Sequence, residues 1–378
     1  MHRLLGLSVA FGLAACMNGG AAGQPAAGLR IDEGPGLGAP RATHQLIATE
    51  QGQLLAIGGC VRAGCEAGPA SATVDIIDAA TLAPVRRGQL LAQRIQPSAV
   101  LLRDGRVLIL GGWVDGRVTA TTEIFDPETG RSVPGPELAA PRNAPTVVGL
   151  ADGRILIAGG YDGTDVRADA EIFDRATGRL YPTGSLGTAR SGATGTLLAD
   201  GRVLLAGGGR PDREPRRALA SAELFDPVSG NFGAAGALAV PRYKHGAVRL
   251  ANGDVLIVGG SDARDYDGKL RSVERFDVAA GRFVPAGELA DARFKIADGL
   301  LLLPGGRVLV AAGDVAPEIF DVASGKGTRL AYDLGGQWNY MTLTRANADT
   351  ALLAGGYREG RIEPTNRSWI IHLSGGAS

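Results

Sequence analysis

The chain has 378 residues, of which 45% are apolar and 21% charged, so it can bury a core as one large or two medium domains. Lys and Arg together number 39, as do Asp and Glu, which leaves no formal net charge. This balance argues against a nucleic-acid partner, because binding to phosphates needs a basic surface.

The first fifteen residues have the pattern of an export signal. A basic start at residues 2–3 precedes an apolar run over residues 4–15, which is too short to span a bilayer. The run ends in LAAC, which resembles the lipobox of bacterial lipoproteins. The resemblance implies cleavage before Cys16 and a lipid on its thiol, so we predict a signal peptide over residues 1–15. An ordinary secretory signal that is cut elsewhere is the alternative.

The segment that follows is predicted to be a tether. Residues 16–28 are small, uncharged and rich in Gly and Ala, a composition typical of a flexible linker. We predict that residues 29–378 form the folded domain, a monomer held by its lipid at the bacterial cell envelope. Met17 after the lipidated cysteine resembles the pattern that is sorted to the outer membrane, which we therefore favour over the inner membrane.

Two further cysteines, Cys60 and Cys65, lie close together in the segment CVRAGC. Because export leads to an oxidising compartment, a disulfide that closes this small loop is the simplest interpretation. Such a bridge would contribute about 2 kcal/mol by the loop-entropy estimate. A metal or redox role is the alternative, but no His or third Cys lies nearby.

One nine-residue pattern recurs along the chain. DGRVLILGG at residues 104–112 returns as DGRILIAGG at 152–160, DGRVLLAGG at 200–208 and NGDVLIVGG at 252–260. Including weaker copies, the pattern ends at Gly59, Gly112, Gly160, Gly208, Gly260, Gly313 and Gly356. A period of roughly 50 residues is typical of a repeat architecture. We number these repeats 1 to 7.

Each repeat has the pattern of four β-strands. Asp-Gly and Asn-Gly pairs are strong hairpin signals, and here they join a first strand to the apolar second strand that ends at the glycine pair. A third strand follows, as in EIFDPETG at residues 123–130, and its Pro and Gly form a turn into a short fourth strand. The second strand is apolar on both faces, so we expect neighbouring sheets to cover both.

Four-stranded repeats of about 50 residues with a glycine pair resemble the Kelch repeat, which builds β-propellers. The resemblance implies an all-β fold: a seven-bladed β-propeller of four-stranded antiparallel blades. Repeat 6 departs from the pattern, with Ala312 in place of its first glycine. Repeat 7 stops after its third strand, while residues 28–41 resemble a lone fourth strand. We therefore predict that this N-terminal strand closes the last blade.

An arginine stands eighteen residues before the second glycine in five repeats and twenty before it in repeat 6. These residues are Arg41, Arg94, Arg142, Arg190, Arg242 and Arg293. Each is matched in its own repeat by an acid at strand three: Asp75, Glu123, Glu171, Glu223, Glu274 or Glu318. One cation and one anion per repeat predicts a repeated internal ion pair, so we assign the arginines a structural role. A ring of cations for an anionic ligand is the alternative.

The loops that follow the glycine pairs vary in length between repeats, and variable loops on a fixed scaffold are where binding sites usually lie. On that face, polar residues and aromatics that occur in few repeats are the ligand-binding candidates. They are His44, Lys244, His245, Lys295 and Tyr340 beside the arginine positions, and Trp113, Tyr161 and Tyr357 after glycine pairs. Cations and aromatics together suit an anionic sugar or a carboxylate-bearing peptide, whereas packing is the alternative role.

We therefore favour a non-catalytic binding module for a protein or a glycan, with no cofactor and no metal. The alternative is a sugar-modifying enzyme resembling bacterial N-acetylneuraminate epimerase, another exported Kelch protein, with His245 and Lys244 as the nearest acid–base candidates. A purely structural envelope lipoprotein is a third interpretation. The copper chemistry of galactose oxidase, another Kelch-like enzyme, needs a Tyr–Cys crosslink, and we exclude it because both internal cysteines share one loop.

Overall fold

The computed structural model describes residues 29–63, 65, 69–210 and 217–374. In these residues the secondary structure is β-strand apart from one short 3-10 helix, Asp265–Gly268. The predicted signal peptide, the tether over residues 16–28 and the lipidated Cys16 lie outside the described residues. The part of the chain that the structure describes contains no helix with the length and apolar character of a membrane span.

Consecutive strands of each repeat pair antiparallel, in the order that the sequence predicts. In repeats 1 to 3 the strands are Gln45–Ala48, Gln53–Ile57, Ser71–Asp78 and Pro84–Arg94; Ser98–Leu101, Val107–Leu110, Thr122–Asp126 and Arg131–Pro134; Thr146–Gly149, Ile155–Ala158, Ala170–Asp174 and Arg179–Pro182. In repeats 4 and 5 they are Thr194–Leu197, Val203–Ala206, Arg217–Asp226 and Asn231–Arg242; Gly246–Arg249, Val255–Val258, Leu270–Asp277 and Arg282–Arg293. In repeats 6 and 7 they are Leu300–Leu303, Arg307–Val310, Glu318–Asp321 and Lys326–Arg329; Thr342–Arg345, Thr350–Ala354 and Ser368–His372. Short strands follow or precede the glycine pairs at Trp113–Val114, Arg117–Val118, Gly209–Arg210, Trp338–Asn339 and Tyr357–Arg358.

The second strands form the core of the fold. Every residue of Val107–Leu110, Ile155–Ala158 and Val255–Val258 is buried, as expected for strands covered on both faces. The cover comes from the neighbouring repeat: Leu55 of repeat 1 packs in one hydrophobic cluster with Val107 of repeat 2. The core therefore lies between successive sheets, and these contacts agree with the prediction that neighbouring sheets cover both faces of the second strand.

The two ends of the domain meet in one sheet. The N-terminal strand Arg30–Glu33 pairs antiparallel with Ser368–His372, which places Ile31 opposite Ile371. The N-terminal strand thus supplies repeat 7 with the fourth strand that its own segment lacks. The all-β class is confirmed, and sheets that pack on one another and join the chain ends are consistent with a β-propeller.

The glycine pairs allow backbone to approach backbone at the end of the second strand. In repeat 2, φ is 61° at Gly111 and 79° at Gly112. A Cβ atom added to Gly111 would lie 2.2 Å from the carbonyl oxygen of Arg142, and one added to Gly112 would lie 2.5 Å from that of Ile95. Only glycine fits such close contacts with positive φ. The pair therefore locks each second strand against the segment that carries the next arginine.

Candidate functional site

The structure contains each of the expected arginine–acid pairs. They are Arg41–Asp75, Arg94–Glu123, Arg142–Glu171, Arg190–Glu223, Arg242–Glu274 and Arg293–Glu318. Arg94 Nε donates to Glu123 Oε1 at 2.7 Å, and Arg94 Nη1 donates to the carbonyl oxygen of Gly111 at 3.0 Å. Glu123, in the third strand of repeat 2, also accepts a hydrogen bond from the backbone N–H of Leu91, which lies with Arg94 in the fourth strand of repeat 1. These buried groups tie repeats together, so they support the structural role and not ligand binding.

A set of left-handed backbone positions lies two residues beyond each arginine, or beyond Trp338 in repeat 7. We call them the inner ring: Thr43, Gln96, Ala144, Gly192, Lys244, Lys295 and Tyr340, with φ between 48° and 63°. Backbone hydrogen bonds join neighbours, since the Lys295 N–H donates to Lys244 O at 2.8 Å and the Tyr340 N–H donates to Lys295 O at 3.2 Å. The residue type at this position changes between repeats, so one arc of the ring is cationic and aromatic.

Three of the four lysines in the chain converge on that arc. The ammonium groups of Lys244, Lys269 and Lys295 lie 5.7, 5.1 and 4.7 Å from the centroid of the Phe294 ring. We call these three residues the lysine cluster. Apart from these three residues and Lys326, every residue in the combined count of Lys and Arg is arginine. Convergence of a rare residue type on one place points to a specific chemical role.

Two members of the lysine cluster have acidic partners. Lys244 Nζ lies 2.9 Å from a carboxylate oxygen of Asp265, and Lys269 Nζ lies 2.6 Å from one of Glu359. Lys295 differs, because no described carboxylate lies within ion-pair distance of its ammonium. The lysine cluster therefore has three amines and two carboxylates, and Asp265 and Glu359 attract Lys295 from beyond ion-pair distance.

Aromatic groups surround Lys295 instead. Its ammonium donates hydrogen bonds to the hydroxyls of Tyr357, at 2.6 Å, and Tyr266. It also lies 4.1 Å from the centroid of the Tyr266 ring, 5.2 Å from that of Tyr357 and 5.5 Å from that of Tyr340. Ring faces attract a cation, and the attraction strengthens when the pair is shielded from water. Lys295 is only 4% exposed, so it is held inside this cage.

Burial shifts the pKa values of Lys295 and Tyr357. Loss of hydration, followed by repulsion from Lys244, lowers the pKa of Lys295 to about 7. Burial also raises the pKa of Tyr357, so this phenol stays neutral. Lys295 is therefore part amine and part ammonium near neutral pH. Asp265 and Glu359 attract the ammonium but do not offset its burial, and a further negative charge beside it would favour the ammonium form.

An open surface hollow of about 410 Å³ lies over one loop of repeat 7. Its lining is the segment Arg358, Glu359, Gly360 and Arg361, which follows the glycine pair of repeat 7. Glu359 is also the partner of Lys269, so the hollow and the cluster share a residue. The loops that follow the glycine pairs form a surface that we call the loop face. Arg358 and Arg361 are exposed and add two cations to it.

The structure brings together four of the residues that the sequence predicts for ligand binding: Lys244, Lys295, Tyr340 and Tyr357. Sequence reasoning missed Lys269, Tyr266 and Phe294. Lys269 and Tyr266 come from the loop over residues 261–269, which follows the glycine pair of repeat 5. The 3-10 helix in that loop holds Tyr266 over Lys295. The scarcity of lysine was the available signal, because three of four copies fall within 52 residues.

His44 and His245 do not join this site. Both imidazoles are buried between repeats, where His44 Nε2 hydrogen-bonds with Thr342 Oγ1 and His245 Nε2 with Thr194 Oγ1, each at 2.9 Å. Burial, with a nearby arginine, lowers the pKa of each to about 3, so both are neutral. These positions favour packing between sheets over the ligand-binding role that the sequence suggests for the two histidines.

Trp113 and Tyr161 form a separate aromatic pair, with ring centroids 6.5 Å apart. Trp113 and Tyr340 both pack against a small buried cluster that contains Cys60 and Tyr357. Cys60 and Cys65 are joined by a disulfide, with their Cα atoms 5.3 Å apart. The disulfide thus belongs to the buried cluster against which Trp113 and Tyr340 pack.

Comparisons with known proteins bear on the fold. The family model for the Kelch motif matches residues 97–139, which is the second repeat. No curated protein matches the sequence. Among solved structures, a fungal alcohol oxidase of the AA5 family, in complex with copper, is similar with a TM-score of 0.69 and 18% identity, covering 91% of this chain and 76% of that one. At this identity the similarity shows the fold alone.

The residues described here do not suit the copper of that oxidase. No group of three or more His, Cys, Asp or Glu side chains in the described ranges is placed to hold a metal ion. His44 and His245 lie in different interfaces between repeats, and Cys60 is bonded to Cys65. The likeness therefore extends to an all-β fold that contains a Kelch motif and is consistent with a β-propeller.

Proposed function

We propose that the chain is a seven-bladed Kelch-type propeller that acts as a monomeric, non-catalytic binding module for a carboxylate-bearing protein or glycan. Support for the blade count comes from the seven sequence repeats and from the pairing of Arg30–Glu33 with Ser368–His372. Support for the family comes from the Kelch motif at residues 97–139. The ligand would bind at the loop face, through the lysine cluster.

The observation that carries this proposal is the position of Lys295. It is a buried amine that contacts the hydroxyls of Tyr266 and Tyr357 and has no described carboxylate partner. A buried ammonium that no carboxylate contacts directly is unfavourable, and a carboxylate from a ligand would reduce the penalty. Hydrogen bonds between ionised groups are the strong ones, at about 1.5–3 kcal/mol each.

We also propose the lipid anchor and the location at the cell envelope, preferably the outer membrane. These rest on the lipobox-like residues 13–16 and the tether over residues 16–28. Cys16→Ser should abolish incorporation of radiolabelled palmitate into the protein expressed in a Gram-negative bacterium. Incorporation that persists in this variant would contradict the anchor.

Calorimetric titration tests the binding proposal. D-Glucuronate should bind and D-glucose should not, because only the first carries a carboxylate. Lys295→Met keeps the length of the side chain and removes its charge, and it should weaken glucuronate at least tenfold. Lys326→Met, in the exposed fourth strand of repeat 6, is the matched control and should leave binding unchanged. Equal affinity for both sugars, or no carboxylate bound by the native protein, would overturn the proposal.

One observation favours a sugar-modifying enzyme as the second candidate. An amine with a pKa of about 7 accepts protons readily at neutral pH, and Lys295 lies beside two tyrosine hydroxyls. The acid–base pair of His245 and Lys244 suggested by the sequence is not supported, since His245 is buried between repeats. Exchange of a ring proton of glucuronate for deuterium in D2O, seen by NMR and lost in Lys295→Met, would favour the enzyme.

A further inference from the structure

A second group on the loop face is not used by the lysine cluster. Trp113 and Tyr161 are the first residues after the glycine pairs of repeats 2 and 3. Their rings are tilted by 41°, and both side chains are partly exposed. An aromatic pair that is not fully covered presents apolar surface at the rim of the domain.

The local backbone holds both rings in place. Trp113–Val114 pairs with Arg117–Val118 in a tight hairpin, and the Tyr161 hydroxyl donates to the carbonyl oxygen of Gly163 at 2.7 Å. A Cβ atom added to Gly163 would lie 3.7 Å from Val118, so the two loops pack side by side. Rings that are fixed before binding lose little conformational entropy when a ligand stacks on them.

Amide side chains accompany the aromatic pair. Asn143 Nδ2 donates to Gln96 Oε1 at 3.4 Å, and Gln96 is the inner-ring residue of repeat 2. The backbone of Asn143 exchanges hydrogen bonds with that of Tyr161 at 2.7 and 2.9 Å, which places this amide at the base of the pair. Asn143 Oδ1 is itself buried, so this amide helps to position the pair, while the ring faces can pack on the C–H groups of a sugar.

A buried apolar cluster lies next to both the aromatic pair and the cage around Lys295. Tyr340, from the cage around Lys295, and Trp113 both pack against the buried cluster of Cys60, Ile95 and Tyr357 with Ala42. Tyr357 itself contacts Lys295. The aromatic pair and the cage around Lys295 therefore flank the same buried cluster.

The chemistry of this surface fits a saccharide better than a peptide. Extended peptides commonly bind by adding to an open strand edge. Here the backbone at the aromatic pair is already bridged, Ile95 to Trp113 and Asn143 to Tyr161. What the two groups offer instead is partly exposed ring faces at one end and cations at the other.

We infer that the ligand is an acidic oligosaccharide whose carboxylate contacts the lysine cluster and whose adjoining neutral ring stacks on Trp113 and Tyr161. This inference rests on the proposed function, because it uses the same lysines for the carboxylate. It adds the class of ligand and a second subsite, neither of which follows from recognition of a carboxylate alone.

The test compares two ligands of equal charge: a hyaluronan tetrasaccharide, in which glucuronate alternates with N-acetylglucosamine, and the peptide Glu-Gly-Glu-Gly. The tetrasaccharide should bind more tightly than D-glucuronate and at least tenfold more tightly than the peptide. Trp113→Ala should weaken the tetrasaccharide about tenfold and leave D-glucuronate unchanged, while Trp113→Phe should retain most of the affinity. Tyr181→Ala, at an exposed tyrosine on an outer strand, is the matched control.

Fluorescence gives a readout that needs no variant. Trp338 and Trp369 are buried, so a ligand that stacks on Trp113 should change the emission of that residue. The tetrasaccharide should alter the emission, and D-glucuronate alone should not. A peptide that binds as tightly as the tetrasaccharide, or Trp113→Ala without effect on either ligand, would overturn the inference and leave carboxylate recognition intact. Failure of D-glucuronate and the tetrasaccharide alike would overturn the proposed function itself.

Discussion

The Lys295 ammonium lies 2.6 Å from the Tyr357 hydroxyl, although the two residues belong to different repeats. Burial lowers the pKa of the lysine to about 7 and raises the pKa of the tyrosine. Both shifts favour the neutral forms, because a charge loses hydration inside the cage. A ligand anion would reverse this for Lys295 alone, so ligand binding and protonation of the lysine are coupled.

The first prediction follows from that coupling. Carboxylate binding should be accompanied by proton uptake at pH 7.5, and D-glucuronate affinity should fall as the pH rises from 6 to 9. Calorimetry in buffers of different ionisation enthalpy measures the uptake. Lys295→Met should bind weakly at every pH and take up no proton. Affinity that is flat over this interval in the native protein would contradict the coupling.

The second prediction concerns the unliganded fold. The pKa of Lys295 is about 7 in the fold, against an ordinary value of 10.5, so the unfolded chain holds more protons between these limits. The free energy of unfolding should therefore rise with pH across the interval from about 7 to 10, by an amount that Lys295→Met removes. Urea unfolding at pH 7 and pH 9.5 measures it, with Lys326→Met as the control. Equal pH slopes in Lys295→Met and the native protein would show that the lysine keeps its ordinary pKa.

The third prediction tests the buried ion pairs. Glu123→Gln leaves the guanidinium of Arg94 buried without a counter-ion and should lower the free energy of unfolding by about 3–5 kcal/mol. Asp104→Asn, which breaks the exposed pair with Arg106, should lower it by at most about 1 kcal/mol. Urea unfolding compares the two. Similar small effects would mean that the buried pair is not a structural tie.

Much of the fold could be predicted because its constraints are local and repeated. Each glycine pair and hairpin turn marks the same point in a strand pattern, and in five repeats an arginine lies eighteen residues before the second glycine. The pairing of Arg30–Glu33 with Ser368–His372 was predictable because one terminus lacked the strand that the other carried.

The candidate site was predictable only in part, because its residues meet through loops of different repeats. Lys269 lies 26 residues before Lys295 in the sequence, yet both contact the Phe294 ring. Loop conformation decides that contact, and no repeated spacing reports it. His44 and His245 are the opposite case. Their sequence positions beside the inner ring suggested ligand binding, yet their side chains point between sheets.

The fourth prediction uses those two histidines. Each has a pKa of about 3 in the fold, against an ordinary value of 6.5, so the unfolded chain takes up protons that the fold does not. The free energy of unfolding should fall as the pH drops below about 6.5, by about 1.4 kcal/mol per pH unit for each histidine. A variant with both His44→Gln and His245→Gln should lose less stability between pH 7 and pH 4.5. If its acid sensitivity matches that of the native protein, the imidazoles are not buried and neutral.

The fifth prediction concerns strain in the inner ring. Ala144 has φ of 48°, and Gly192 has φ of 63° at the equivalent position of the next repeat. An added Cβ at Gly192 would meet no atom within 4 Å, so only the left-handed backbone disfavours a side chain there. Gly192→Ala should therefore lower the free energy of unfolding by about 1 kcal/mol. Ala144→Gly should raise it by about 0.5 kcal/mol, because relief of the strain exceeds the greater entropy of glycine in the unfolded chain. Opposite signs in urea unfolding are expected, and a shared sign would show that the inner ring is not strained. Lys244 and Lys295 have the same left-handed backbone. The strain at these two positions would then lower the stability of the fold while it places two cations at the candidate site.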